Sequence, residues 1–282
     1  MIREVEETLW KVDDPNAEST MMLSRVDLDF AFYQERREIM EEKDRINFID
    51  SLELADIEES KGDNPRAAYV CGGSTVSFAA NVSSESQSDV LNSTLFAQLG
   101  ANHAHDREND AANWYRYYQN VLVNIGWMIT DFKFTKFNAT SESFSMDKVI
   151  TDLLLAANAA RDEIAIANAT IDALKALPQN DGRLRFLESM SHSASKGNFQ
   201  ISVAHEGVSG DLTMRMVAAY FSTSDSVTNV LWFPFTNSKT NMYTASQEII
   251  LNSLVYSQFR DSVAMKLGSK AGDFVKELPI SG

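Results

Sequence analysis

Four histidines and a single cysteine are the residues in this chain that most readily bind a metal or assist a nucleophile. His103 and His105 lie two positions apart with Asp106 beside them, a spacing with which a loop or strand can hold a metal. A zinc site normally needs three or four ligands at set spacings, and no third imidazole follows here. We therefore predict no metal site. We expect these histidines at the end of a helix, where positive charge is favourable.

The sequence shows no recognisable nucleophile site. Ser191-His192-Ser193 places a hydroxyl beside an imidazole, but neighbours in sequence do not define a catalytic triad. No G-x-S-x-G, G-x-x-x-x-G-K or G-x-G-x-x-G motif is present. Cys71 precedes a Gly-Gly pair and is expected to be a small buried residue. His205 follows a predicted strand without a visible partner. We predict no catalytic residue and no cofactor.

The densest aromatic patch lies in residues 110–137, and it supplies the first candidate for binding, Trp127. Residues Trp114 and Tyr118 in this stretch recur at helical spacing, which predicts a helix that is followed by a strand over residues 131–135. Large aromatic side chains at this spacing are typical of a core, and the alternative is a platform for a ligand. The binding candidates are Trp127, Arg215, Trp232 and Tyr243.

The elements that position these residues follow from periodicity. Residues 145–177 predict one long alanine-rich helix, with a bend near Asn158 as the alternative. Alternation predicts an antiparallel meander over about residues 199–251, including an apolar strand at residues 230–235. Two further helices follow, the second over residues 271–278. This order predicts an α+β fold in which helical layers pack on an antiparallel sheet.

The meander has a polar side, and two interpretations of it are open. Thr213, Arg215, Thr244 and Ser246 fall on or near that side, and an ordinary sheet with one solvated face predicts this pattern. The inserting hairpin of a pore-forming toxin, with amphipathic strands of about ten residues, predicts the same pattern.

The net charge of −15 is concentrated at the N-terminus. Residues 1–64 hold 19 acidic and 8 basic residues, a net charge of −11, which predicts an acidic helical arm before a single domain over residues 65–282. Such charge argues against nucleic-acid binding. One cysteine forbids a disulfide within the chain. The first residues do not form a secretory signal, so we expect a cytoplasmic protein in the producing cell, with export by another route left open.

Several short segments resemble a loosely defined group of uncharacterised bacterial and fungal proteins. The resemblance covers about residues 70–280 and leaves out the acidic arm. It implies no catalytic residue, and it is compatible with a toxin or an effector. The segments that carry it are Leu91–Leu99, Asn113–Tyr115, Asn124–Trp127, Gly182–Leu184, Ser191–Ser193 and Gly197–Gln200.

These observations support three hypotheses about function. The first is a non-enzymatic microbial effector or assembly protein, in which the acidic arm binds a protein partner or a second copy and the sheet presents a recognition face. The second is a membrane-acting toxin, stored in a soluble form, that inserts a hairpin from residues 199–251 or the helix over residues 145–177. The third is a hydrolase whose site is assembled from distant residues around His192 or His205.

Overall fold

The computed structural model describes residues 68–129, 132–207, 211–268, 271 and 274–277. The acidic arm predicted over residues 1–64 lies outside the described residues. The strands are β1 (Ala68–Cys71), β2 (Ser74–Phe78), β3 (Trp127–Met128), β4 (Thr135–Lys136), β5 (Ser143–Phe144), β6 (Lys196–Glu206), β7 (Leu212–Thr223), β8 (Phe235–Thr236), β9 (Thr240–Leu251) and β10 (Val275–Glu277).

Eight of these strands form one mixed sheet in the order β10-β1-β2-β6-β7-β9-β3, and β4 also pairs with β9. The pairing of β2 with β6 is parallel, and the other pairings in this sheet are antiparallel. The remaining strands, β5 and β8, pair with each other in a small separate sheet. The three central strands β6, β7 and β9 have 11, 12 and 12 residues and dominate the fold.

Seven helices are described, and four of them form two layers that enclose the sheet. They are α1 (Ser84–Ala104), α2 (Ala111–Asn124), α3 (Met146–Ala156), α4 (Arg161–Ala176), α5 (Gly182–Ser191), α6 (Ser253–Ser257) and α7 (Arg260–Leu267). A 3₁₀ turn lies at Asn237–Lys239. None of the described helices combines the length and the low polarity that a membrane-spanning helix requires.

The two layers cover opposite faces of the sheet. On α4, the Thr170 hydroxyl lies 2.6 Å from the hydroxyl of Ser77 in β2. Ser77 pairs with Val203 of β6, so both side chains point to the face that α4 covers. Gln200 of β6 points to the opposite face because side chains alternate along a strand, and its amide donates to the Tyr118 hydroxyl of α2 at 3.1 Å. The hairpin α1–α2 therefore covers one face, and α3–α4 the other.

The α+β class, the antiparallel strand pairs and the tight turn at the glycine pair are confirmed. The helix predicted after residue 110 is confirmed as α2. The strand predicted from residue 131 begins only at Thr135, and Asp131 itself lies outside the described residues.

The single helix predicted over residues 145–177 is wrong, because the chain breaks between α3 and α4. Asn158 adopts a φ of +52°, a left-handed conformation that asparagine tolerates better than most residues. The new helix then begins when the Glu163 carboxylate accepts the backbone N–H of Ala160 at 2.7 Å. The bend near Asn158, the alternative drawn from the sequence, is what the structure shows.

Two other predicted elements are wrong. Residues 230–234 form a loop rather than a strand, because their N–H groups find other acceptors. The N–H of Val230 donates to the Glu188 carboxylate, and that of Phe233 to the carbonyl of Asn229. The second C-terminal helix is wrong at Val275–Glu277, which instead pairs with the open edge of β1.

Candidate functional site: a buried hairpin and its two polar joints

The hairpin β6–β7 occupies the middle of the sheet and is the feature around which the described residues are built. Its two strands pair over eleven positions, from Lys196 opposite Ser222 to Glu206 opposite Leu212. Every residue from Gly197 to Ala204 is buried, so neither face of β6 is open to solvent. A sheet with one solvated face was expected from the sequence. That expectation is wrong, since Thr213 and Thr244 are less than 10% exposed.

The face that packs against α3–α4 is apolar over most of its length. It forms one continuous core with Leu154 of α3 and with Ile171 and Leu174 of α4. Burial of such surface contributes about 25 cal/mol per Å², so this layer is held mainly by the hydrophobic effect. The hairpin residues on this face are Phe199, Ile201, Val203, Val217, Ala219 and Phe221.

The face that packs against α1–α2 is polar along β6. Asn198, Gln200 and Ser202 alternate there, and each is at most 1% exposed. A buried polar side chain is costly unless it is hydrogen-bonded, and here the helices supply the partners. Gln200 pairs with Tyr118, and Asn198 pairs with Arg107. Polar residues in β6 therefore mark an interior contact and not a solvent surface.

The first polar joint, which we call the Arg107 joint, lies between α1 and the turn from β1 to β2. The Arg107 guanidinium donates to the Oδ1 of Asn198 at 2.5 Å, to the Oε1 of Gln98 at 3.3 Å and to the carbonyl of Gly73 at 3.1 Å. It also lies 4.7 Å from the centre of the Trp114 ring, within cation–π range. These partners are neutral. Burial lowers the pKa of Arg107 to about 10, so it keeps its charge at neutral pH.

The glycine pair makes this joint possible. Gly72 has a φ of +57°, and a Cβ built there would lie 2.5 Å from the Oε1 of Gln98. A Cβ on Gly73 would lie 2.4 Å from the Arg107 guanidinium nitrogens. The Gln98 side chain accepts the N–H of Gly73 and donates to the carbonyl of Cys71, which fixes the turn against α1.

The second polar joint, which we call the Glu163 joint, lies on the opposite face near the turn of the hairpin. Glu163 of α4 is 3% exposed, and its Oε1 lies 3.5 Å from the Nδ1 of His205 in β6. Its Oε2 lies 3.5 Å from the Nε of Arg215 in β7. The Nη2 of Arg215 binds the Oε2 of Glu248 in β9 at 2.6 Å. One helix and three strands thus meet in a group of two carboxylates, a guanidinium and an imidazole.

Thr213 orients the imidazole of this joint. The Thr213 hydroxyl donates to the backbone carbonyl of His205 at 3.2 Å. When its single hydrogen goes to that carbonyl, the Nε2 of His205, at 3.0 Å, carries a hydrogen and donates to the hydroxyl oxygen. In a neutral ring the Nδ1 is left as an acceptor, and it faces the Oε1 of Glu163.

The four binding candidates do not form one site. Arg215 belongs to the Glu163 joint. Trp127 is 1% exposed and pairs with Leu251 at one end of β9. Tyr243 stacks on Tyr220 at a ring distance of 5.0 Å, eight positions away from Leu251, which is about 26 Å along a strand. Trp232 packs against the core of the α3–α4 face. Binding by these residues stays a prediction.

Sequence reasoning missed Glu163, Gln98, Arg107 and Glu248 as members of polar joints. Glu163 carries one signal, its place three residues after the break at Ala160, which is typical of a helix-capping residue. Helix capping accounts for the contact of the Glu163 Oε2 with Ala160, but it does not predict that the Oε1 faces His205. His205 and Glu248 are 43 positions apart in the sequence, and only the register of the strands brings them together.

Comparisons with known proteins give no family for this chain. No family model matches the sequence, and no curated protein matches it. The chain is similar to the solved structure of the Evf virulence factor, at a TM-score of 0.38 and 11% identity, over 83% of this chain and 91% of that one. It is also similar to a delta-endotoxin, at a TM-score of 0.38 and 10% identity, over 73% of this chain and 96% of that one. A likeness of this size does not establish a shared function.

Proposed function

We propose that this chain is a membrane-acting protein of the toxin type that stores a membrane-length hairpin between two helical layers. The observation that carries the proposal is the length and enclosure of β6–β7. A strand that crosses a bilayer needs about 9–11 residues, and these strands have 11 and 12. Both faces are covered in this form, which would keep the hairpin out of water and lipid until it is released.

The two faces of the hairpin differ along β6, whereas β7 places Arg215 opposite Val203 on the face under α3–α4. The face under α3–α4 presents Phe199, Ile201 and Val203 from β6, which suit contact with lipid chains. The opposite face of β6 presents Asn198, Gln200 and Ser202, which suit an aqueous side. On β7 that opposite face carries Met214, Met216 and Ala218, so the polar lining would come from β6 alone.

Release of the hairpin would require the α3–α4 layer to leave the sheet. Among the described residues, two polar contacts between this layer and the sheet are the hydroxyl pair of Ser77 and Thr170 and the Glu163 joint. The rest of the contact is apolar, and lipid chains could replace it without loss of hydrophobic contact. The Arg107 joint holds the other layer through several hydrogen bonds, so we expect α3–α4 to move first.

Protein binding through the acidic residues 1–64 is the second proposed function. The net charge of −11 in that segment supports it, because concentrated charge of one sign favours a partner of opposite charge. The recognition face that the sequence predicted on the sheet does not support it, since helices cover both faces. An assembly role predicts that loss of residues 1–64 changes the oligomeric state of a chain that remains folded.

Leakage of a fluorescent dye from lipid vesicles tests the membrane proposal. The full chain is added to vesicles of neutral lipid and of mixed neutral and anionic lipid, from acidic to neutral pH, with circular dichroism as a check on folding. We expect dye release under at least one condition in which the chain starts folded. A folded chain that releases no dye under any of these conditions would contradict the proposal.

A further inference from the structure

We propose that Glu163, His205 and Glu248 form a binding site for a divalent transition-metal ion of the zinc type. One ligand atom from each residue lies within 4.8 Å of the other two. Two carboxylates and an imidazole are ligands that zinc accepts, and three protein ligands with an open fourth position are a common zinc arrangement. The site goes beyond the proposed membrane activity and does not depend on it.

The strongest support is a pair of buried atoms that lack hydrogen-bond partners. Among the described residues, neither the Oε1 of Glu163 nor the Nδ1 of His205 has one. When the Thr213 hydroxyl donates to the His205 carbonyl and the ring is neutral, Nδ1 is an acceptor, so two acceptors face each other at 3.5 Å. A cation or a proton between them would turn a repulsive contact into an attractive one.

The spacing suits a metal ion. Two ligands at about 2.0–2.1 Å from a tetrahedral zinc ion are roughly 3.3–3.4 Å apart. The 3.5 Å between the Oε1 of Glu163 and the Nδ1 of His205 is close to that value. Glu248 is the most exposed of the three, with a side chain that is 41% exposed, and a small rotation that keeps its Oε2 on Arg215 would bring its Oε1 to the ion.

The outer atoms of all three ligands are already held in place. The Nε2 of His205 contacts the hydroxyl of Thr213. The Oε2 of Glu163 accepts the N–H of Ala160. The Oε2 of Glu248 accepts a hydrogen bond from Arg215. Such outer contacts orient the ligands of metal sites and raise their affinity. Arg215 contacts the Oε2 atoms of both carboxylates, so the Oε1 atoms remain for the metal. The two carboxylates and the Arg215 guanidinium together carry a net charge of −1, which offsets part of the charge of a divalent ion.

Metal binding to the full chain tests this site. Zn²⁺ binding is measured by isothermal titration calorimetry, and Co²⁺ provides an optical signal for the ligand set. We compare His205→Gln and Glu248→Gln with His103→Gln and Glu142→Gln, which change exposed residues elsewhere. We expect one ion per chain, with affinity at least tenfold lower in the first two variants and unchanged in the controls. Thr213→Val should weaken binding by about 10–100-fold.

Stability provides a second readout. An ion that binds only the folded chain should raise the melting temperature by roughly 5–10 °C when free Zn²⁺ exceeds Kd about a hundredfold. Glu248→Gln should reduce this shift to about half or less, and because Glu248 is partly exposed the variant should fold. Absence of stoichiometric binding would overturn the proposal. Equal binding by the wild type, His205→Gln and Glu248→Gln would also overturn it, because the ion would then belong to other carboxylates.

Discussion

Arg260 of α7 binds Asp89 of α1 through two parallel hydrogen bonds, Nε to Oδ1 at 2.8 Å and Nη2 to Oδ2 at 2.6 Å. The two residues are 171 positions apart, so this pair connects α7 to the α1–α2 layer. Asp89 is 4% exposed, and burial raises its pKa, although Arg260 opposes the rise. The pair therefore supports the α1–α2 layer, which we expect to stay on the sheet.

Arg260→Ala should destabilise the fold by about 3 kcal/mol, because it leaves a carboxylate buried without its partner. The expected value is at the low end of the range for broken buried pairs, since Arg260 is partly exposed. Denaturation in urea measures the change, and Arg185→Ala, at an exposed position, serves as the control. A loss below about 0.5 kcal/mol would show that the pair contributes little.

The same substitution should raise the pKa of Asp89 further, because the hydrogen bonds and positive charge that lower it are removed. A carboxyl group whose pKa is raised in the folded state favours folding less as pH rises above its ordinary value. The stability deficit of Arg260→Ala should therefore shrink as the solution is made acidic. Urea denaturation at several pH values measures this, and a deficit that grows in acid would contradict it.

His192 should make stability depend on pH in the opposite sense. Burial alone lowers its pKa, but hydrogen bonds to the Glu188 carboxylate at 2.5 Å and to the Ser193 carbonyl at 2.8 Å outweigh burial and raise it. The stabilisation is complete below the ordinary pKa of histidine and is lost as pH rises through the raised value. The stability advantage of the wild type over His192→Gln should shrink from mildly acidic to alkaline pH. A constant advantage would rule out this titration.

Substitution of Gly73 tests the Arg107 joint. Gly73→Ala would place a Cβ 2.4 Å from the buried guanidinium, so we expect a loss of about 2 kcal/mol or more from overpacking. Gly207→Ala is the control, since a Cβ there would lie 3.6 Å from the carbonyl of Asp211, the nearest atom among the described residues. Thermal unfolding of both variants measures the difference. Equal stability of the two would mean that Arg107 can move aside and does not fix the turn.

The sequence predicted the long strands well because their side chains alternate. Phe199, Ile201 and Val203 recur at every second residue. This alternation of apolar side chains does not depend on what packs against the sheet. What covers the polar side could not be predicted. Asn198 and Gln200 lie beneath α1–α2, where the hydroxyl of Tyr118 and the guanidinium of Arg107 take the place of water. A strand face that packs beneath polar helix residues has the same sequence pattern as a strand face that is exposed to water.

The Glu163 joint could not be predicted because its members come from four separate elements. Their spacing in the sequence carries no pattern, and each has an ordinary interpretation on its own. Glu163 resembles a helix-capping residue, His205 the end of a strand, and Arg215 and Glu248 solvated positions of a sheet. The break at Asn158, predicted only as an alternative, also concealed the position of Glu163. A continuous helix would place Glu163 in a helix interior rather than at an N-terminus.

A reversible disulfide between β2 and α4 tests whether the α3–α4 layer must leave the sheet. The hydroxyls of Ser77 and Thr170 lie 2.6 Å apart, so cysteines at both positions are placed to form a disulfide between β2 and α4. The double variant Ser77→Cys, Thr170→Cys is compared with Ser77→Cys alone and with the wild type, each with and without a thiol reductant.

The measurement is the rate of dye release from vesicles under the condition in which the wild type is most active. We expect the oxidised double variant to release little dye, and we expect reduction to restore its rate to that of the single variant. Leakage by the oxidised double variant at the same rate as after reduction would contradict the proposed release, because the hairpin would then act without the helical layer leaving the sheet.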